Sequence, residues 1–487
     1  MDPLEVDVLI VGAGLSGIGA ACHLTRELPG TSYAIVEMRE RMGGTWDLFR
    51  YPGVRSDSDM YTLGYAFRPW AGTQALAGGP EILDYIRATA AEYDVERHIH
   101  YGHKAVRAQW SSVTSRWTAS AEVRQPDGSV AVRLTTAKFL YSCTGYYDYE
   151  QGHAPEFPGV EEFRGQVIHP QFWPADLDHA GKHVVVIGSG ATSVTLVPAL
   201  AATASKVTML QRSPTYILSM PSQDPIATLA GRALPDRAAY AVTRWNHILM
   251  SWGLFQASRR APGLVRKLIR GEAAKALPYD YPVDEHFNPA YDPWDQRLCL
   301  VPDGDLFSAI GDRRAEVVTD TIATFTPTGV RLASGRELPA DIVVTATGLR
   351  LLPGGGAALA VDGVDVDLPS TVSYKGIMLS GVPNFALALG YTNASWTLKV
   401  DLVSRYVCRL LDYMERHGFA QVWPQEPPAG EPTRPIIDFA AGYVQRGASL
   451  IPRQGSSGPW RVPQNYLVDR ARLRRRGRLD DGVIFRR

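Results

Sequence analysis

The sequence is poor in cysteine, and the four it has are scattered. Cys22, Cys143, Cys299 and Cys408 form no CxxC pair, which excludes a zinc ribbon and a dithiol redox centre. So few thiols outside any framework suit a reducing compartment. Long apolar runs are also missing. No stretch approaches the ~18 residues of a membrane span. The first apolar run, residues 6–11 (VDVLIV), is too short for a secretory leader and leads straight into glycines. These absences predict a cytoplasmic protein with no integral membrane segment. Net charge is absent too: 50 Lys and Arg balance 50 Asp and Glu, so no overall field draws the chain to nucleic acid or to an anionic membrane. The one dense basic run, residues 470–478 (RARLRRRGR), reads as a solvated terminal segment. Low-complexity tracts and short internal repeats are lacking as well.

What is present is a 487-residue chain, 45% hydrophobic, long enough for two or three domains with cores. Residues 6–11 read as a buried parallel strand. GAGLSG follows at once, with Gly12, Gly14 and Gly17 in G-x-G-x-x-G spacing and Ser16 between them. The first glycine permits a tight turn, the second lets backbone approach a pyrophosphate, and the third lets the helix pack against the strand. The helix start offers free amides and a positive dipole end to phosphate. A second strand ends in Glu37, about 20 residues beyond the last glycine, where a carboxylate grips a ribose diol.

The arrangement recurs. Residues 183–187 (HVVVI) run into GSGATS, with Gly188, Ser189, Gly190, Ala191 and Thr192, and with Ser193 at the third-glycine position. The next strand ends in Gln211-Arg212-Ser213. No acid stands there to hold a free 2′-hydroxyl, whereas Arg212 and Ser213 suit a 2′-phosphate. This predicts NADP at the second site, and two dinucleotide folds in one chain suggest two dinucleotides; in flavoproteins with two such sites FAD usually takes the N-terminal one. Two further apolar strands, residues 139–145 (FLYSCTG) and 342–348 (IVVTATG), end in Thr-Gly and read as crossings between two nucleotide domains.

Two motifs narrow the chemistry. GGTWDLFRYPGVRSD carries Gly43, Gly44, Trp46, Tyr51, Pro52, Gly53 and Asp57; FRGQVIHPQFWP carries Phe163, Gly165, His169, Trp173 and Pro174. Both resemble the signatures of the Baeyer–Villiger flavoprotein monooxygenases. The stretches RSDSDMYTLG, NPAYDPWDQRLCLVPDGDLF and GYTNASWTLK look most like the ethionamide-activating subgroup.

The resemblance implies an α/β fold of two Rossmann-like domains, for FAD and NADP, with a helical insertion in the NADP domain. The expected boundaries are 1–150 and 335–487 for the FAD domain and 151–334 for the NADP domain, with the insertion at about 222–282. It implies an NADPH-consuming enzyme that forms a peroxide on reduced flavin and inserts one oxygen atom of dioxygen into a ketone, sulfides and thioamides being further substrates. Arg297 becomes the cation facing the oxygen anion, with Asp57 as its partner. Gly44, Thr45, Trp46, Asp57 and Val106 join the FAD contacts; Arg55 and Ser56 join the NADP contacts. Gln296 stands where many relatives carry a lysine, leaving more of the phosphate to Arg212. His169 is expected to act as a domain-linker residue. No metal site is expected. The rival readings are a heteroatom monooxygenase using the same cofactors, a disulfide or quinone reductase, and a non-catalytic nucleotide sensor; the lack of CxxC opposes a disulfide reductase.

Overall fold

The computed structural model describes residues 3–72, 74–296, 298–474, 479 and 482–487. Arg297 and residues 475–478 of the basic run lie outside them. Two sheets organise the chain. In the first, Leu4–Val11 pairs in parallel with Tyr33–Val36 on one side and with Val130–Ser142 on the other. Val8, Leu9 and Ile10 are fully buried, as a central parallel strand covered on both faces requires. Beyond Val130–Ser142 the sheet continues antiparallel through Arg116–Arg124 and His103–Ser111. A hairpin of Ala358–Val361 and Val364–Asp365 closes that edge. Asp362 and Gly363 both have positive φ, 48° and 86°, the backbone that an Asp-Gly two-residue turn supplies.

The second sheet has five parallel strands, in the order Ala315–Thr319, Lys206–Gln211, His183–Ile187, Ile342–Thr345, Gln166–Ile168. Its membership corrects one expectation. Ile342–Thr345 lies beyond the expected boundary near residue 335, yet it hydrogen-bonds between two strands of the second sheet and is buried throughout. Its four residues are buried and laddered on both sides, so the chain leaves this sheet only after Thr345. It crosses beside its outward path: Leu349–Leu351 pairs antiparallel with Tyr147–Gly152. His169 sits against this double crossing. Its Nε2 lies 3.3 Å from the Gly348 carbonyl oxygen, and a Cβ on Gly152 would strike its ring.

Three helices fill the expected insertion: Pro225–Ala233, Asp236–Arg260 and Pro262–Ala276. The long one is tied to the first domain by Arg244, whose buried guanidinium donates to the carbonyls of Tyr61 and Gly64. The helix Trp396–His417 packs on the first nucleotide helix, Leu15–Glu27. Its Lys399 is buried against Asp469 at 2.8 Å, and the Tyr391 hydroxyl donates to the same carboxylate at 2.7 Å. No disulfide joins the four cysteines, and all are buried. Among the described residues no helix is long and apolar enough to cross a membrane.

Candidate active site

Both glycine-rich turns open onto one cavity of about 900 Å³, ample for cofactor and substrate groups. Gly12 has φ 102° and Gly188 φ 136°, a region that side chains avoid. Each also abuts the chain where it leaves its strand. A Cβ on Gly12 would lie 2.8 Å from the Cys143 carbonyl oxygen, and one on Gly188 would lie 2.4 Å from that of Ala346. The crossings and the phosphate turns therefore fit together as backbone against backbone.

At the first turn, Gly14 meets a second glycine, Gly44, whose Cβ would lie 2.9 Å from Gly14 Cα. Glu37 is buried, with one carboxylate oxygen accepting from the Ala13 amide at 2.7 Å and the other from the Arg39 amide at 2.9 Å. Burial pushes its pKa above the ordinary carboxylate range, and the two amides pull it back. Its remaining lone pairs can face the cavity, as a ribose diol needs. Ser16 accepts from the indole nitrogen of Trp396 at 2.8 Å, so its own proton stays available to a phosphate. The glycine turns and this donor set fit an FAD.

Thr45 and Trp46 start the short helix Thr45–Leu48 and line the cavity. The following Asp47 holds that helix down. It is buried and takes Arg39 at 2.6 Å and Arg50 at 2.8 Å. Asp57 also lines the cavity. Arg55 is on the wall, but its guanidinium is turned onto Asp305, with contacts of 2.5 and 3.2 Å. Ser56 accepts from the Ser58 amide at 2.9 Å.

At the second turn, Gly188, Ser189, Gly190, Ala191 and Thr192 line the wall, and the side of Gly190 is open. Ser189 Oγ lies 2.9 Å from Thr215 Oγ1. Ser193 packs where a third glycine would stand; its buried hydroxyl has no protein partner among the described residues. Gln211 turns inward, donating to the His286 carbonyl and to Thr319 Oγ1, both at 2.9 Å. Arg212 and Ser213 are exposed on the rim. The nearby Asp320 carboxylate is engaged by the Thr321 and Ser334 amides. An open glycine wall and an exposed cation at the strand end fit an NADP.

Two expected contacts stand back from the wall. Gly17 lies under the turn, where a Cβ would come 1.8 Å from the Gly12 carbonyl oxygen; it sets helix-to-turn spacing. Val106 is the extra residue of a bulge between Ala105 and Arg107, and Lys104 and Ala105 form the wall there. Arg297 lies outside the described residues; its neighbour Gln296 lines the cavity. Several wall residues carry no local sequence signal. Tyr149 brings its hydroxyl to 3.5 Å from Thr45 Oγ1, and Tyr391, Tyr443 and Arg446 arrive from the C-terminal part of the chain.

A buried histidine braces this wall. His247, on the long insertion helix, meets Asp224 through Nε2 and lies 3.5 Å from Asp59 through Nδ1. Those carboxylates cap the helices starting at Pro225 and Met60. Burial opposes the imidazolium, but the bonds and charges of Asp59 and Asp224 outweigh it and raise the pKa to about 9. The raised value fixes the sign: the stabilisation is complete below the ordinary histidine value and is lost as pH rises through about 9. Between about pH 7 and about pH 10 this contribution to the unfolding free energy, on the order of 3 kcal/mol, should be lost, read as a falling thermal midpoint. In His247→Gln that part of the slope should vanish.

Two dinucleotide turns facing one cavity define an α/β oxidoreductase of the two-nucleotide class. Residues 10–74 match the NAD(P)-binding Rossmann-like domain and residues 77–228 the flavin-binding monooxygenase-like family. The chain is 55% identical over 483 residues to the FAD-containing monooxygenase EthA of Mycobacterium tuberculosis, covering 99% of this chain and 98% of that protein. It belongs to this family of FAD-containing monooxygenases. Its fold is that of the two-domain Baeyer–Villiger enzymes. Cyclohexanone monooxygenase from Rhodococcus sp. Phi1, solved with NADP+, superposes with a TM-score of 0.75 at 20% identity over 100% of both chains. A steroid monooxygenase solved with NADP gives 0.75 at 21% identity over 99% of both.

Proposed function

We propose that this monooxygenase consumes NADPH and inserts one oxygen atom of dioxygen into a ketone, giving an ester or lactone, and that it also oxidises sulfur in sulfides and thioamides. The observation that carries the reading is the single cavity shared by both glycine turns. A nicotinamide held at the second can meet a flavin held at the first without leaving the protein. Bound FAD supplies the redox chemistry, accepting hydride and passing electrons to dioxygen.

The chain's own residues bind and orient. Gly12, Gly14 and Ser16 take the FAD pyrophosphate, Glu37 its ribose, and Gly44, Thr45, Trp46 and Asp57 the flavin side of the cavity. Gly188–Thr192 take the NADP pyrophosphate, and Arg212 with Ser213 its 2′-phosphate. Arg55, held by Asp305, and Ser56 bring the FAD-domain wall up to NADP. Arg297 supplies a fixed cation where negative charge develops on oxygen. The test measures ester formed per NADPH consumed on a panel of ketones, with sulfides and thioamides alongside. Ester in proportion to NADPH is expected; sulfoxide without any ester assigns the enzyme to heteroatom oxidation.

The nucleotide preference has its own test. Losing a charge-assisted phosphate contact costs about 1.5–3 kcal/mol, or roughly ten- to a hundredfold in affinity. Arg212→Ala should therefore raise the apparent KM for NADPH by that factor and leave the constant for NADH nearly unchanged. An unaltered NADPH constant removes Arg212 from the phosphate site.

A further inference from the structure

The helical insertion brings two properties together, exposed apolar side chains and a surplus of positive charge. Among the described residues, ten of the twenty exposed large hydrophobic side chains fall between Ile226 and Tyr279. Leu229, Leu249, Met250, Leu264 and Leu268 are each 50–69% exposed, and Trp252 is 38% exposed. They lie on all three packed helices, and on each they recur at helical spacing. Leu249 follows Val242 by two turns, and Leu268 follows Leu264 by one. The opposite faces are buried through Thr243, His247 and Ile248 on the long helix and through Val265, Ile269 and Ala273 on the next. The exposed rows are thus the outer sides of amphipathic helices, not frayed ends.

The same segment is strongly basic in a chain of zero net charge. Residues 225–276 hold nine Lys and Arg against two Asp and Glu. Some of these cations are already engaged: Arg244 is buried, Arg259 pairs with Asp295, Arg270 with Asp284 and Lys275 with Glu272. Arg232, Arg237, Arg260 and Lys267 make no ion pair among the described residues and are exposed. Arg260 and Lys267 flank Leu264 in sequence.

Apolar side chains with an interfacial tryptophan, bordered by unpaired Arg and Lys, form the chemistry of a helix that lies in the headgroup layer of an anionic bilayer. An exposed apolar face carried by helices packed side by side calls for an occupant. The surplus of positive charge selects an anionic one over a second copy, whose identical patch would meet it with like charge. We infer that the outer face of the helical insertion, centred on Leu249, Leu264 and Leu268, docks the enzyme on anionic lipid surfaces.

The test uses the full-length flavin-loaded protein and sedimentation with vesicles of phosphatidylcholine alone or with phosphatidylglycerol added. Binding is expected to the anionic vesicles only, and to weaken at least tenfold when salt is raised to screen exposed charges. Leu264→Glu/Leu268→Glu and Arg260→Glu/Lys267→Glu should each reduce bound protein at least tenfold. Both should keep their flavin and stay within twofold of the parent rate on a water-soluble substrate. The mobility of each variant on size exclusion is followed in parallel. No sedimentation with anionic vesicles, or equal sedimentation with neutral ones, overturns the inference. So does a parent dimer that binds no vesicles and dissociates in Leu264→Glu/Leu268→Glu, which would assign the face to a second copy.

Discussion

Gly17→Ala is expected to purify with little or no flavin colour. The methyl group would have to occupy space 1.8 Å from the carbonyl oxygen of Gly12 and 3.4 Å from Ile10 Cγ2. Neither neighbour can yield cheaply. The Gly12 oxygen is backbone in a turn pinned by its own amide, which donates to the Val36 carbonyl at 2.8 Å, and Ile10 is fully buried. The helix Leu15–Glu27 must therefore move off the strand, taking with it the amides that face the pyrophosphate. Overpacking a close-packed site costs about 1–3 kcal/mol, and here the strain falls on the FAD contacts themselves. FAD affinity should drop by roughly ten- to a hundredfold or more. The readout is flavin absorbance relative to protein absorbance, with fluorescence titration of added FAD. Gly190→Ala is the contrast. Nothing lies within 4 Å of its added methyl, so it should fold and keep its flavin, and any defect should fall on NADPH. A yellow Gly17→Ala with normal FAD affinity would mean that the helix is free to shift.

The contrast between these glycines also shows what the sequence could reveal. Each nucleotide turn is a local device of strand, glycine turn and helix within about thirty residues, so residues 4–27 and 183–200 were readable from order and spacing alone. The Asp362-Gly363 hairpin is local in the same way, since its turn chemistry is contained in two residues. The domain boundary was not. Ile342–Thr345 looks like any buried β-branched strand, and only its two ladders, to residues 184–187 and 166–168, assign it to the second sheet. Val106 shows a finer limit: a bulge is a mismatch between two strands, so the shift between Ala105 and Arg107 cannot be seen in one of them. Residues fixed by distant partners were equally hidden. Asp47 looks like an ordinary charged helix residue until Arg39 and Arg50 close on it. Tyr391 stands at the cavity with its hydroxyl held by Asp469, 78 residues away.

Arg297→Ala is expected to bind flavin and to make almost no ester. On the function proposed above, the arginine is needed where dioxygen is reduced and negative charge gathers on oxygen, a step at which a fixed cation is worth far more than solvent. Its neighbour Gln296 and its expected partner Asp57 both stand on the cavity wall. Loss of one oriented donor to a developing oxyanion typically costs about 10²–10³ in rate, and loss of a full charge should cost at least that. NADPH oxidation need not stop: electrons that reach oxygen without transfer to substrate leave as hydrogen peroxide. The expected pattern is thus a yellow protein, ester reduced by about 10²–10³ or more, and peroxide accounting for most of the oxygen consumed. Arg297→Lys should recover little, because a flexible ammonium lacks the planar fork of a guanidinium. Asp57→Ala should err in the same direction but less, since the arginine would lose its orientation and keep its charge. Ester per NADPH, with peroxide assayed in the same samples, separates this from a binding defect, which would raise KM and leave the ratio intact. Arg297→Ala giving ester at near-parental yield and rate would return the residue to a structural role and leave the oxygen anion to another donor on the wall.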